Sequence, residues 1–368
     1  MTSDESRTRP AAAVRAPRLL YLVTEDWYFC SHRLPMARAA RDAGFRVAVA
    51  TRCADHAAQI RDEGFELHPL RWRRRSLDPI SAARDIAEIA ALYAELGPDL
   101  VHHVALKPVV YGSIAAGVSR IPRVVNALTG FGFAFGSRGR VAAAIGRIAR
   151  PTLRRLLRRR GSVVVVQNES DAQRLGAEGL VDPAAIRLVR GSGVDLRRFA
   201  VLPDPPQPFT IGFVGRMLAD KGVPTLLEAH ALLRARGLPI ALELAGAPDR
   251  ENPTSLDEHE LRARTSVPGV RWLHHVADVR EVWRRCHVAV LPSRHEGLPL
   301  ALLEAAACGR ALVASDVSGC RELATHEDNA LLVPPDDAVA LADAIERLFH
   351  DRALRLRLAA RSRARVIE

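Results

Sequence analysis

The sequence predicts an α/β protein made of two doubly wound domains that face a central cleft. Short apolar runs alternate with amphipathic runs in both halves of the chain, a pattern typical of parallel sheets covered by helices. Its 368 residues are enough for about two domains. Prolines concentrate at residues 201–208 and predict a stiff linker. We therefore expect a disordered tail at residues 1–17, a first domain at 18–200, the linker at 201–208 and a second domain at 209–368.

The elements of the first domain follow from the spacing of its apolar residues. Strands are predicted at residues 19–24, 46–50, 66–70 and 100–103, with a loop at 25–30 and helices at 31–43, 54–63 and 78–96. Ligands of such a sheet bind at the carboxyl ends of its strands. His102 and His103 end the fourth strand and are therefore candidate site residues. Because side chains alternate along a strand, only one of the two histidines is expected to face the cleft.

The elements of the second domain place a helix start beside a loop. Strands are predicted at residues 209–214 and 288–293, and helices at 223–233 and from Pro299 to Gly309. Proline is tolerated in the first turn of a helix, and glycine commonly follows its last turn. The free N–H groups of residues 297–300 then point into the loop, where they can bind a phosphate group.

Two carboxylates flank this helix start, since Glu296 and Glu304 are separated by seven residues. A carboxylate beside bound diphosphate would be repelled, so Glu296 is better suited to accept hydrogen bonds from a neutral, hydroxyl-rich group such as a pyranose. Glu304 lies two turns deeper and could hold a ribose diol. Taken singly, Glu296 is better explained as a solvated loop residue, and Glu304 as a charge favoured by the helix dipole. The two together with the surrounding strand and turn are a more specific pattern.

A second motif occupies residues 213–222, between the strand at 209–214 and the helix at 223–233, and it contains Arg216 and Lys221. Two fixed cations can stabilise a departing nucleoside diphosphate without a metal ion. Without the Glu296 motif, an exposed arginine and lysine in an ordinary loop would be the simpler interpretation.

Together the two motifs resemble those of the retaining glycosyltransferases of family 4, which have the GT-B fold of two Rossmann-like domains. Segments 106–113 and 128–135 are similar to members that act in capsule and O-antigen synthesis. The resemblance implies that Arg216 and Lys221 hold the donor diphosphate and that His102 or His103 contacts the transferred sugar. The predicted catalytic residues are Glu296, His102 and His103. The predicted donor-binding residues are Arg216, Lys221, Gly297, Leu298, Pro299 and Glu304.

The activity implied by the resemblance is transfer of a hexosyl group, with retention, from a nucleotide sugar, by default a UDP-sugar. No Asp-x-Asp pair occurs in the chain, so neither a metal nor another cofactor is expected. The expected acceptor is a glycan or a sugar linked to polyprenyl diphosphate. Two alternatives remain open: a sugar-nucleotide epimerase or hydrolase on the same fold, and a non-catalytic scaffold that binds a membrane or a partner.

Composition is that of an ordinary globular protein, with 48% hydrophobic and 26% charged residues. The five cysteines show no metal-ligand spacing, which indicates free thiols in a reducing compartment. The first 17 residues lack an apolar signal-peptide core, and no run reaches the length of a membrane span. We therefore expect a cytoplasmic protein, either free or attached to the inner face of the cell membrane.

Positive charge is concentrated between Leu100 and Asn168, where no acidic residue occurs and one lysine and eleven arginines do. Within it, the arginine-rich segment 138–160, bounded by Arg138 and Arg160, has apolar residues at near-helical spacing. This pattern suits binding to anionic lipid headgroups or to an acceptor diphosphate, and a solvated arginine-rich face explains it equally well. Nucleic acid is not expected as a partner, because few aromatic residues accompany the arginines.

Overall fold

The computed structural model describes residues 15–74, 78–129 and 150–368, and within these ranges the chain forms two parallel β-sheets flanked by helices. The predicted fold class, two doubly wound α/β units, is confirmed. In each sheet the strand order reverses in the interior, between β1 and β4 in the first sheet and between β8 and β11 in the second. Such a reversal opens a crevice at the carboxyl ends of the strands, where ligands bind.

The first sheet has the strand order β3-β2-β1-β4-β5-β6-β7. Its strands are β1 (Arg18–Glu25), β2 (Arg46–Arg52), β3 (Glu66–Pro69), β4 (Leu100–Val104), β5 (Arg123–Leu128), β6 (Ser162–Val166) and β7 (Ile186–Leu188). The described helices around it are α1 (Asp26–His32), α2 (Leu34–Asp42), α3 (Ala57–Asp62), α4 (Pro79–Leu96), α5 (Leu106–Val118), α6 (residues 150–157) and α7 (Glu169–Ala177).

The second sheet has the strand order β10-β9-β8-β11-β12-β13. Its strands are β8 (Thr210–Val214), β9 (Ala241–Ala245), β10 (Val270–Trp272), β11 (Val288–Leu291), β12 (Ala311–Ser315) and β13 (Leu331–Val333). The helices around it are α8 (Val223–Ala235), α9 (Glu258–Thr265), α10 (Arg280–Arg285), α11 (Leu300–Ala307), α12 (Ser318–Arg321), α13 (Ala338–His350) and α14 (Arg352–Ile367).

Both faces of the first sheet are buried, which is why its strands are apolar throughout. Leu20 and Leu22 of β1 belong to the core cluster beneath α4 and α5. Tyr21 and Val23 belong to the cluster on the opposite face, which includes Phe29 of α1. The alternation of side chains along β1 therefore fixes which helices cover each face.

The predicted loop at residues 25–30 is wrong, because helix α1 begins directly after β1. The Asp26 carboxylate accepts hydrogen bonds from the backbone N–H groups of Trp27, Ala54 and His56 at 2.6–3.0 Å. This aspartate anchors the helix start to the loop after β2. The helix predicted to begin at Ser31 is divided between α1, which ends at His32, and α2, which begins at Leu34.

The proline-rich stretch 201–208 contains neither helix nor strand and is tied to the second sheet. The buried Arg310 guanidinium donates to the carbonyl oxygens of Leu202 and Pro203 at 2.7 and 2.8 Å. Asp204 accepts from Arg352 and Arg355 of α14 at 3.1 and 3.4 Å. The exact domain boundaries remain predictions of the sequence.

Part of the arginine-rich segment 138–160 lies outside the described residues, as do residues 130–135 of the segment 128–135. The described part contains α6, whose Leu153 and Leu157 are buried in the core while Arg154, Arg155 and Arg158 are exposed. Among the described residues, none of the helices is both long enough and apolar enough to cross a bilayer.

Candidate functional site

Two carboxyl-terminal loops of the second sheet meet and bring Lys221 to Glu296. The Lys221 ammonium donates to Glu296 Oε1 at 2.6 Å, and the glutamate side chain is only 7% exposed. The loop after β8 contacts the loop after β11 closely, because a Cβ at Gly222 would lie 2.0 Å from the Pro292 carbonyl oxygen. Gly222 also has a φ of +73°, which favours glycine. The two predicted motifs therefore form one site.

Helix α11 begins beside this ion pair. Pro299 caps the helix, and its carbonyl oxygen accepts the first helical hydrogen bonds, from the N–H groups of Leu302 and Leu303 at 3.1 and 3.2 Å. The sequence placed Pro299 one position further into the helix. Gly309 ends the helix with a φ of +74°, as predicted. The N–H groups ahead of the first helical bonds are available to an anion.

Arg216 lies at the edge of the same cleft and is held by a carboxylate. Its guanidinium donates to Asp249 Oδ2 at 2.6 Å, and Arg74 from the first sheet's side contacts the same oxygen at 2.8 Å. Burial raises the pKa of Asp249, but the two arginines outweigh burial and lower it overall. The Arg216 guanidinium also lies 5.9 Å from the ring centroid of Trp27 on α1.

The turn at Gly297 and Leu298 packs against the carboxyl ends of strands in the first sheet. The Asn168 side-chain amide donates to the Gly297 carbonyl oxygen at 3.3 Å. A Cβ at Gly297 would lie 2.4 Å from Gln167 Oε1 and 3.2 Å from the Thr129 carbonyl oxygen. These contacts could not be predicted from the sequence, because nothing in the local sequence indicates which strand ends face each other across a cleft.

Glu304 lies further along α11, apart from the Lys221–Glu296 pair. Burial raises the pKa of its carboxyl to about 7; Arg198 lowers the pKa, and Asp278 adds to the rise. A partly buried carboxyl without a strong cationic partner is available to accept hydrogen bonds from a neutral diol.

The two histidines of β4 point to opposite faces of the first sheet. His103 is completely buried, with Nε2 2.9 Å from the Tyr93 hydroxyl and Nδ1 2.8 Å from Asn126 Oδ1. His102 instead stacks on Tyr21, with ring centroids 5.0 Å apart, and its buried Nε2 has no hydrogen-bond partner among the described residues. Of these two histidines, only His102 has a ring nitrogen without a partner among the described residues.

Within the described ranges, no group of three histidine, cysteine, aspartate or glutamate side chains is placed to hold a metal ion. Metal independence stays a prediction of the sequence. The predicted diphosphate cations, Arg216 and Lys221, are both paired with carboxylates that an incoming diphosphate would have to displace.

Comparison with known protein families gives two matches that together span most of the chain. Residues 208–351 match the family described as glycosyl transferases group 1. Residues 18–168 match the family described as glycosyl transferase 4-like. The first-domain match ends just after β6, and the second match begins just before β8.

Two curated relatives and one solved structure extend the similarity. An N,N'-diacetylbacillosaminyl-diphospho-undecaprenol alpha-1,3-N-acetylgalactosaminyltransferase of Campylobacter jejuni is 27% identical over 341 residues, which cover 89% of this chain and 88% of the relative. A UDP-Gal:alpha-D-GlcNAc-diphosphoundecaprenol alpha-1,3-galactosyltransferase of Escherichia coli is 26% identical, covering 75% and 74%. HepE of Anabaena, solved in complex with UDP and glucose, superposes with a TM-score of 0.74 at 18% identity over 95% of this chain and 94% of HepE, a likeness of fold.

Proposed function

We propose that this chain, which belongs to the glycosyltransferases with the GT-B fold, moves a hexosyl group from a nucleoside diphosphate sugar to a lipid-linked sugar acceptor. The proposed donor is a UDP-sugar, the proposed stereochemical course is retention, and the proposed setting is cell-surface polysaccharide synthesis. The names of the two relatives support the class of acceptor, since both specify a sugar on diphosphoundecaprenol.

The observation that carries the proposal is the Lys221–Glu296 contact of 2.6 Å at the start of α11. It puts a cation, a carboxylate and a helix N-terminus at one point of the cleft. An anion and a neutral polyol are the two chemical groups that such a point binds together, and a sugar diphosphate contains both.

In the proposed reaction, the bond between the anomeric carbon and the diphosphate oxygen breaks while the acceptor hydroxyl oxygen bonds to that carbon on the same face. Lys221, Arg216 and the start of α11 stabilise the negative charge on the departing diphosphate. That diphosphate takes the proton of the acceptor hydroxyl, so the protein needs no separate base. These cations replace the divalent metal of other glycosyltransferases.

We assign the remaining donor contacts from the positions of the residues in the cleft. We assign the hydroxyl groups of the transferred sugar to Glu296 and the ribose diol to Glu304. Gly297, Leu298 and Pro299 form the turn that receives the phosphate groups. Of the two histidines we assign the role next to the transferred sugar to His102, because both ring nitrogens of His103 are already bonded.

The acceptor would enter from the side of the first sheet. We propose that the arginine-rich segment 138–160 draws the protein to the anionic inner face of the membrane, where a lipid-linked acceptor is embedded. The exposed arginines of α6 support this proposed contact with the membrane.

A thermal-shift panel with UDP-, GDP- and ADP-sugars, with and without a chelator, tests the donor site. We expect one nucleotide to raise the melting temperature, the rise to survive chelation, and Arg216→Ala to abolish it. Arg264→Ala is the matched control, because Arg264 forms an exposed pair with Glu260 on α9. The stabilising sugar nucleotide is then incubated with a short-chain polyprenyl-diphosphate-linked sugar.

Formation of an α-linked product from an α-linked donor would support the full proposal. Release of free sugar or appearance of an epimer without transfer would favour the hydrolase or epimerase alternative. Absence of any shift would favour the scaffold alternative.

A further inference from the structure

Arg33, between α1 and α2, is a buried cation without a matching anion. Its side chain is 2% exposed, and neither Nε nor Nη2 has a hydrogen-bond partner among the described residues. Arg310 is buried to the same extent, yet it donates to three backbone carbonyl oxygens. Arg33 therefore differs from a buried arginine that serves the fold.

Among the described residues, no carboxylate acts on the Arg33 guanidinium. Burial lowers its pKa, and the neighbouring groups that favour its charged form are the phenols of Tyr28 and Tyr21. Beyond the described ranges, the sequence contains only two carboxylates, Asp4 and Glu5. A buried charge left uncompensated costs several kcal/mol, so its retention needs a reason outside the fold of the ligand-free protein.

A second unpartnered group lies beside Arg33. The charge of Arg33 acts on His102 of β4. The buried Nε2 of His102 also lacks a hydrogen-bond partner among the described residues. Burial, with help from Arg33, lowers the pKa of His102 to about 3, so its imidazole is neutral at physiological pH. A neutral imidazole can donate one hydrogen bond without adding a second buried charge.

The segment that leads into Arg33 reaches the predicted diphosphate site. Helix α1 leads into Arg33 and carries Trp27, 5.9 Å from the guanidinium of Arg216. His32, stacked on Tyr28 with ring centroids 4.2 Å apart, is close enough to Lys221 and Arg216 for their charges to act on it. The segment directly before Arg33 thus faces the cleft from the side opposite the second sheet's cations.

We propose that Arg33 binds an oxyanion of a substrate, a phosphate group supplied either by the nucleotide donor or by the lipid-linked diphosphate. The planar guanidinium forms paired hydrogen bonds with phosphate oxygens, and the neutral His102 nearby adds no second buried charge. The inference rests on the proposed function, because it takes the phosphate-containing substrates from there.

The test compares the full-length chain with Arg33→Met, using UDP as one probe and geranyl diphosphate as the other. We expect the variant to bind one of them at least tenfold more weakly by calorimetry, and the affected probe identifies the source of the phosphate. Removal of an uncompensated buried charge should at the same time raise the melting temperature of the ligand-free protein. Affinity and stability would then change in opposite directions.

Arg310→Met is the matched control, because it removes an equally buried arginine whose two terminal nitrogens donate to three backbone carbonyl oxygens. It should lower the melting temperature and leave both affinities unchanged. Arg33→Lys keeps the charge but loses the planar geometry. It should lower the affinity for the same probe by a smaller factor than Arg33→Met does. It also keeps the test informative if Arg33→Met does not fold.

Unchanged affinity for both probes in the folded Arg33 variants would overturn the inference and leave the proposed function standing. Failure of the wild-type chain to bind either probe would instead overturn the proposed function and the inference together.

Discussion

At Glu304, burial favours the protonated carboxyl, whereas binding of the proposed ribose favours the ionised one. Burial raises the pKa of its carboxyl from 4.5 to about 7, so ionisation is unfavourable in the ligand-free fold. Hydrogen bonds from a ribose diol, in contrast, favour the ionised form. The residue therefore has a titration that should be visible both in stability and in donor binding.

Glu304→Gln should stabilise the ligand-free protein at pH 8 and have little effect at pH 5. Because the pKa in the fold lies above the unfolded value of 4.5, the folded protein binds the extra proton, and stability declines as pH rises from 4.5 to about 7. Above that range the cost of the charge is constant, about 3–4 kcal/mol at about 1.4 kcal/mol for each pKa unit. Urea unfolding of the wild type and of Glu304→Gln from pH 5 to pH 8.5 measures this difference in the free energy of unfolding.

Glu243→Gln provides the control, because buried Glu243 forms ion pairs with Arg271 and Arg285. This variant should lose stability at pH 8, the opposite sign. A Glu304→Gln variant that is destabilised at pH 8 would contradict the prediction. In the wild type, UDP affinity should rise as pH increases through about 7, and Glu304→Gln should flatten this dependence.

Strand β4 shows how one element can serve the core and the cleft with adjacent residues. His103 lies in a buried polar chain that links Tyr93 of α4, Asn126 of β5 and, through Asn126, the hydroxyl groups of Ser113 and Ser162. Space for this chain is tight, since a Cβ at Gly112 would lie 2.5 Å from His103 Nε2. His102 has no comparable bonds.

His103→Leu should therefore lower the free energy of unfolding by about 2–4 kcal/mol, because it leaves the buried groups of Tyr93 and Asn126 without a partner. His102→Leu should cost less stability and lower the rate of transfer more. Denaturant unfolding and the rate per folded molecule, measured on both variants, separate the two histidines. A greater loss of rate in His103→Leu than in His102→Leu would reverse the assignment.

The sequence predicted the fold because strands buried on both faces and helices buried on one leave strong local patterns. It also predicted that Gly309 would end α11, and it predicted the two motifs that meet at Lys221 and Glu296. It did not predict α1, since the aspartate that starts this helix is bonded to the loop after β2, 28 residues away along the chain. Local spacing contains no information about such a partner.

Contacts between the two domains could not be predicted from the sequence either. Asn168 and Gln167 follow β6 as ordinary polar residues, and only the folded chain puts them against Gly297. The same holds for the buried, unpartnered Arg33. Charge and hydropathy describe what a residue prefers, whereas its partners depend on how two domains are oriented.

The orientation of the two sheets is connected to the donor site through Asp249. Its carboxylate contacts Arg216 at 2.6 Å and Arg74, from the other side of the cleft, at 2.8 Å. Nearby, Arg52 at the end of β2 bridges Glu25 and Glu251, at 3.0 and 2.6 Å. A diphosphate that binds Arg216 must compete with Asp249, so the proposed donor binding would be coupled to an ion pair between the domains.

Asp249→Asn should therefore bind UDP about three- to tenfold more tightly than the wild type, because it removes the carboxylate that competes with the diphosphate for Arg216. Calorimetry at fixed ionic strength measures the dissociation constant. Arg74→Met is the matched control: it breaks the same contact between the domains but leaves Asp249 on Arg216, so its UDP affinity should stay close to that of the wild type. Weaker UDP binding by Asp249→Asn would mean that Asp249 positions Arg216 for the donor, and equal tightening by Arg74→Met would mean that domain separation, not competition, governs the affinity.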